Sequence, residues 1–394
     1  MSLALLLGLV SLGVWLVLLL GRGGFWLCRE RDDADTPPAP ARWPAVVAVV
    51  PARNEADVIA RSVGSLLAQD YPGPFRVVLV DDGSTDGTAE AARRAVGAAA
   101  RLEVLPGAAL PAGWTGKLWA LEQGVRHATA TGAEPPAFVL LTDADIGHAP
   151  DNLRALVSRA EAGRCALVSL MARLSCANAA ERFLIPAFVF FFGMLYPFAW
   201  VARAERATAA GAGGCMLVRR EALERAGGIA AIRREIIDDC ALARRLKAQG
   251  PIRLLLTRRA ESLRPYGGLG EIGRMVSRSA YAQLGYSPLL LAGTVLGMGL
   301  VYLAPPALGL FGDGLARWAG LAAWALMALA FQPMLRFYGA SLLGGVLWGL
   351  ALPATAAAYL VFTVQSALQV WRGRGGMWKG RAQAMVPGSG APNA

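Results

Sequence analysis

The sequence predicts an α/β domain with a mostly parallel sheet, flanked on both sides by membrane helices. Three observations carry this. Apolar runs of strand length alternate with helical periodicity between residues 45 and 285. Two acidic signatures, Asp81-Asp82-Gly83-Ser84 and Asp143-Ala144-Asp145, each follow such a run. Uncharged stretches at 2–21, 289–312, 318–335 and 337–371 flank the region, and roughly 20 apolar residues suffice to cross a hydrocarbon core as a helix.

Taken in order, residues 1–22 read as an uncleaved anchor: there is no basic n-region and no small-x-small site before Arg22-Gly23-Gly24. Residues 23–44 form a linker, acidic and Pro-rich from Asp32 to Pro44. Val46 to Val50 is an unbroken apolar run ending at Pro51 and reads as a buried parallel strand. Val58 to Leu67 has helical periodicity and is followed by the turn-rich Tyr71-Pro72-Gly73-Pro74. Arg76 to Val80 is the next strand and delivers Asp81 and Asp82 to its carboxyl end, with Ser84 or Asp86 capping a helix from Gly87 to Ala99. Phe138 to Thr142 is a further inner strand, ending at Asp143. Ligands of open α/β sheets gather at such carboxyl ends.

Apolar residues make up 55% of the chain and mean hydropathy is +0.43, an excess concentrated in the uncharged stretches. The formal net charge of +11 suits nucleic acid, anionic lipid or a phosphorylated substrate equally, and the motifs favour the last two. No nucleic-acid partner is expected. Five scattered cysteines form no C-x-x-C pair, and His127 and His148 are the sole histidines, so any metal chemistry falls to carboxylates. Neither G-x-G-x-x-G after an early strand nor a P-loop motif is present.

In Asp143-Ala144-Asp145, a turn past the strand can aim both carboxylates at one Mg or Mn ion, which prefers oxygen ligands; the plainer role is a solvated turn or helix cap. Asp81 or Asp82 can accept from a ribose or base edge where Gly83 permits close backbone approach, and an Asx turn serves the same residues without a ligand. Pro51-Ala52-Arg53-Asn54-Glu55 follows the first strand, beside that loop. Lys117, after the turn Gly113-Trp114-Thr115-Gly116, is either a point charge for a diphosphate or a solvated lysine at a helix start. Asp238-Asp239 opens an amphipathic helix, where an acidic pair is either a general base or a favourable charge at the dipole's positive end.

Together, Pro51–Glu55, Asp81–Ser84, Asp143–Asp145 and Asp238-Asp239 with Leu242 and Arg245 resemble the ordered motifs of family 2 glycosyltransferases of the GT-A fold, over residues 45–285. The whole chain resembles the hopanoid-associated branch, including Phe188-Val189-Phe190-Phe191-Phe192 and Gly213-Gly214-Cys215-Met216-Leu217-Val218-Arg219-Arg220. The resemblance implies an inverting transfer from a UDP-sugar to a membrane lipid acceptor. Pro51, Arg53, Glu55, Asp81 and Asp82 would hold the nucleoside, and Lys117, Asp143 and Asp145 the diphosphate with its Mg or Mn. Asp239 would be the base beside Asp238, and Gly213, Gly214, Cys215 and Met216 would line the acceptor side. Processive synthases of the family carry Q-x-x-R-W, which is absent here; Arg274 to Arg278 and Gln283 to Tyr286 stand in that region, favouring a single transfer.

Arg22, Arg29 and Arg31 follow the first span while Arg274 and Arg278 precede the second, which places the polar domain on the cytoplasmic face of a bacterial inner membrane, against an anionic surface. Phe183 to Trp200, uncharged and containing Pro186 and Pro197, reads as an interfacial or buried helix, since a crossing there would part Asp143 from Asp239. Residues 286–371 hold the C-terminal spans, with 337–371 either two short crossings or one tilted helix, and 372–394 form a basic, then disordered tail. Polyprenyl phosphate, ceramide or diacylglycerol are alternative acceptors. A nucleotide-sugar sensor is the non-enzyme alternative, and a channel is disfavoured because no apolar stretch contains an internal Asp, Glu, Lys or Arg. Oligomeric state is not legible.

Overall fold

Val46–Ala52 is buried at every position, as a β-branched run does when both faces of a sheet are covered, and it forms the central strand β1. The computed structural model describes residues 1–96, 101–131, 135–373, 377–378 and 381–382. Around β1 lie β2 (Phe75–Asp81), β3 (Leu102–Pro106), β4 (Phe138–Thr142), β5 (Ile146–His148), β6 (Leu167–Arg173), β7 (Cys215–Arg219) and β8 (Ile252–Ser262). They form one eight-stranded sheet in the order β3-β2-β1-β4-β7-β6-β8-β5.

The sheet is mixed, which corrects the expectation of a mostly parallel one. β3, β2, β1 and β4 run parallel, as do β6 and β8, but β7 is antiparallel to both its neighbours and β5 to β8. Strand direction depends on how the connections return, and the apolar pattern of a strand is the same either way. The consequence for the site is large: Thr142 pairs with Cys215, so the carboxyl end of β4 meets the amino end of β7. β1 also extends past Pro51, which the ladder tolerates because pairing with β4 stops at Val49.

The helix Gly116–Ala130 starts at the N-cap Thr115 and packs on β1 and β2 through Gly124, where a Cβ would lie 2.4 Å from Val49 Cγ1. The helix Thr88–Val96 begins where expected, with Asp86 accepting from the Thr88 amide at 3.1 Å; residues 97–99 of the expected helix lie outside the described residues, as does most of the 372–394 tail. The expected 23–44 linker is partly structured: the Asp32 amide donates to Leu256 on β8 (3.0 Å), and the Asp32 carboxylate receives Thr257 Oγ1 (2.6 Å) and pairs with Arg259 (3.1 Å).

The described residues fold as two compact units, one within 30–175 and 200–265, which holds the eight-stranded sheet, and one within 1–29, 176–199 and 266–373. Residues 176–199 and 266–285, drawn with the polar domain on the sequence, thus group with the apolar helices. In that second unit, Leu3–Gly21, Pro288–Phe311 and Gly314–Phe337 are each long and apolar enough to cross a membrane, and the stretch expected as 337–371 is a pair, Leu342–Leu350 and Leu352–Trp371, bent by 51°. The third helix takes in Arg317 and Arg336, beyond the uncharged 318–335. The helix Ala179–Leu195 runs through Pro186 from an Asn178/Glu181 capping box, and the buried Glu181 carboxylate also receives the Tyr266 amide at 2.7 Å. Thr355 and Tyr359 of the last helix donate to Phe183 and Leu184 carbonyls at 3.2 and 2.9 Å.

Candidate active site

The loops after β1 and β2 are laced together by side chains. Asn54, in left-handed conformation at φ +52°, receives the Thr85 amide on Oδ1 (2.9 Å), while its own amide donates to Ser84 Oγ (3.0 Å). The Glu55 amide donates to Thr88 Oγ1 (2.9 Å) and the Ala56 amide to Asp86 (3.0 Å). Arg53 bonds the Asp82 carbonyl and lies 3.8 Å from the Asp82 carboxylate, which is buried. Asp81 accepts from the Ser84 amide (3.1 Å) and hydroxyl, so the Asx turn is present, with Gly83 at φ +66°. Pro51 sits inside β1, buried, opposite Val80 of β2 and beyond the last β1–β4 pair at Val49.

At the end of β4, a tight turn (Ile146 amide to Asp143 carbonyl, 3.3 Å) carries Asp143 and Asp145. Lys117 Nζ bridges Asp143 at 2.9 Å and Asp238 at 3.3 Å. Burial opposes its charge, but the carboxylates of Asp143 and Asp238 outweigh burial and raise its pKa. Burial, then the neighbouring Asp143 and Glu55 carboxylates, raise Asp145 to about 6 against the pull of Arg264.

Asp238 and Asp239 open the helix Asp238–Lys247 and face different partners. Asp239 Oδ2 receives the Gly213 amide at 3.0 Å and Oδ1 the Cys240 amide at 2.7 Å. Burial and the adjacent Asp238 push the Asp239 carboxyl up to about 6, with Lys117 pulling the other way. Gly213 fits because a Cβ there would stand 3.3 Å from Lys117 Nζ and 3.7 Å from Asp239. Leu141, Met216, Ile229, Ile232 and Leu242 form an apolar wall around Lys117 and the acidic pair.

Six of the fourteen residues singled out on the sequence thus meet at one sheet end: Lys117, Asp143, Asp238, Asp239 and Gly213 by direct contact, Met216 in the lining. Cys215 does not join them. It is fully buried on β7, its Sγ 3.8 Å from Asn152 Nδ2, and burial pushes its thiol up to about 12. Gly214 packs against Ala172 and Ile146.

Two residues escaped the sequence reading. Arg264, just past β8, pairs with Glu55 and with Asp57 (2.9 Å), and its charge acts on Asp145. Its signal is only an arginine after a strand. His148, on β5, bonds Thr142 and Asn152 in the interior, and burial lowers it to about 4, so it is neutral.

Asp143 and Asp145 supply two hard oxygen donors, and among the described residues no group of three His, Cys, Asp or Glu forms a fuller cage. That donor set suits a Mg-type ion, which keeps waters and takes substrate phosphates to complete its shell. The carboxylates of Asp143 and Glu55 that raise Asp145 are crowded negative charge of the kind a cation relieves.

Residues 47–227 match the family model described as Glycosyl transferase family 2. A stretch of 60 residues is 47% identical to the succinoglycan biosynthesis protein ExoU of Rhizobium meliloti, over 15% of this chain and 17% of that protein, so the chain matches only about a sixth of that relative's length. The structure of mannosyltransferase PcManGT from Pyrobaculum calidifontis, in complex with GDP-Man and Mn2+, aligns at TM-score 0.55 and 23% identity over 94% of this chain and 99% of that chain, a likeness of fold. Glucosyl-3-phosphoglycerate synthase from Mycobacterium tuberculosis, in complex with Mg2+ and uridine diphosphate, aligns at TM-score 0.40 and 20% identity over 61% of this chain and 79% of that one.

Proposed function

Since residues 47–227 are a glycosyltransferase family 2 domain of GT-A-like fold, we propose that the protein transfers one sugar from a UDP-sugar to a membrane lipid, hopanoid-related, with inversion at the anomeric carbon. The observation that carries the reading is the convergence of Lys117 on Asp143 and Asp238, with Asp239 held beside them by the Gly213 amide.

The laced loops at Arg53–Glu55 and Asp81–Asp86 form the nucleoside side, where Arg53 and Arg264 keep the carboxylates of Asp82 and Glu55 oriented. Asp143 and Asp145 would hold Mg or Mn, which when bound neutralises the diphosphate and stabilises it as a leaving group. Lys117 adds a fixed ammonium at that position, poised for the negative charge that develops as the sugar departs. Asp239 takes the proton from the acceptor hydroxyl as its oxygen attacks. A carboxyl raised to about 6 is ionised near neutrality yet more basic than a solvated one, and the Gly213 and Cys240 amides fix its direction. Asp238 is bound to Lys117, which leaves Asp239 the better candidate for the base.

The apolar helices Leu3–Gly21, Pro288–Phe311 and Gly314–Phe337 and the bent pair support a multi-pass location in a bacterial inner membrane. The arginines at 22, 29, 31, 274 and 278 support a domain on the cytoplasmic, anionic face. Polyprenyl phosphate, ceramide and diacylglycerol remain competing acceptor classes on this geometry, and a sensor would bind the donor without turnover.

The test incubates full-length protein in detergent with UDP- and GDP-sugars, Mg2+ or Mn2+ and extracted lipids. Divalent-dependent release of nucleoside diphosphate, with a glycolipid identified by mass, is the expected result. Release that is equal in Asp145→Ala, or a sugar-bearing polyprenyl phosphate as product, would refute the metal role or the acceptor class respectively.

A further inference from the structure

His148, buried on β5, does not line the cleft, yet it stands within a chain of hydrogen bonds that reaches the backbone beside the acidic pair. Thr142 Oγ1 donates to the Gly214 carbonyl at 2.7 Å. A hydroxyl has one hydrogen, so toward His148 Nε2, 3.0 Å away, Thr142 must accept. His148 therefore carries its proton on Nε2, and its Nδ1 accepts from Asn152 Nδ2 at 2.9 Å. The carbonyl at the far end fixes the direction of the whole relay, from Asn152 through His148 and Thr142 to Gly214.

All three side chains are more than nine-tenths buried, and the His148 backbone is itself anchored by its amide to Ser65 Oγ at 3.0 Å. The relay's end point adjoins the reacting groups. Gly214 is held by Thr142, Ala212 is held on both its amide (2.8 Å) and its carbonyl (3.2 Å) by Ser169 Oγ, and Gly213 between them gives its amide to Asp239. Two adjacent glycines have no side chains to hold them in place, so polar contacts to their backbone decide where the Gly213 amide points. Thr142 is also the residue before Asp143.

We propose that His148 is a positioning residue: acting through Thr142, it fixes the Gly213–Gly214 segment and with it the Asp239 carboxylate for proton transfer from the acceptor. This rests on the reading of Asp239 as the base. The imidazole takes no proton in the reaction; it is a rigid spacer with one donor and one acceptor.

The test compares Thr142→Val and His148→Leu, which keep bulk and lose the relay, with Thr142→Ser and His148→Gln, which keep a donor and an acceptor. All are full-length proteins in detergent. Hydrogen–deuterium exchange over residues 211–216 is expected to quicken at least about tenfold in the Val and Leu variants and to stay within about threefold of wild type in Ser and Gln, with β1 and β2 unchanged. For release of nucleoside diphosphate, kcat should fall about 10- to 100-fold in Val and Leu, with donor KM within about threefold. Unchanged exchange in Thr142→Val overturns the relay, and so does exchange that quickens equally in β1 and β2. Faster local exchange with unchanged kcat overturns the positioning of Asp239. If wild type turns over no donor, the proposed function fails, while the exchange comparison still decides the relay.

Discussion

Asp239 is the residue where stability and chemistry oppose one another. Its carboxyl rises from 3.8 to about 6, so between those values the folded protein holds a proton that the unfolded chain has released. Folding stability through this group is therefore highest below about 4 and falls as pH rises to about 6. If Asp239 is the base, as proposed, activity runs the other way, since a base acts ionised, and kcat/KM is expected to rise through about pH 6 in a pH–rate profile. Asp239→Asn removes the buried charge and keeps an acceptor for the Gly213 amide. It should lower kcat about 10²- to 10⁴-fold while the Tm at pH 7 holds or rises, measured by steady-state kinetics and thermal unfolding. Lys117→Met leaves Asp143 and Asp238 without their shared ammonium. The expected loss is about 10²- to 10³-fold in kcat, as for a removed charge-stabilising donor, and a loss under threefold would show that Lys117 is only an ion-pair partner.

At the scale of elements, the geometry depends on how closely the helix Gly116–Ala130 approaches the sheet, since that helix carries Lys117. Gly124 sets the distance, with a Cβ there 2.4 Å from Val49 Cγ1 and 3.0 Å from Val80 Cγ2. Gly124→Ala should cost about 1–3 kcal/mol by overpacking, read by denaturant unfolding, and should raise donor KM as the helix start shifts. An alanine that stabilises, as helix propensity alone would have it, would show that the sheet yields at no cost. The sequence marks only a turn and a candidate helix start at Lys117, because nothing in its composition says what Gly124 packs against. The antiparallel setting of β7 was equally hidden: Gly213 and Asp143 are 70 residues apart in sequence, and only the Thr142–Cys215 pairing makes them neighbours.

For the whole molecule, the described residues include three helices of spanning length and composition, or up to four with the bent pair counted as one. Removing residues 1–21 should leave the protein in the membrane pellet after alkaline carbonate, because the helices at 288–311 and 314–337 remain. Release of that truncated protein into the soluble fraction would mean that only the first helix anchors it.

Composition and pattern alone determined the alternation of strands and helices, the uncharged stretches and the three acidic motifs, because strand runs, turn formers and spanning lengths are local properties of consecutive residues. The chain's own order was enough to bring Asp81 and Asp143 to the ends of β2 and β4. Tertiary structure decided the rest. It turned Cys215 into the core, docked residues 30–32 on β8, set Arg264 against Glu55 and Asp57, and placed His148 behind Thr142. Each of these joins side chains or strand edges far apart in sequence, set by strand direction and packing distance, and no local pattern encodes either.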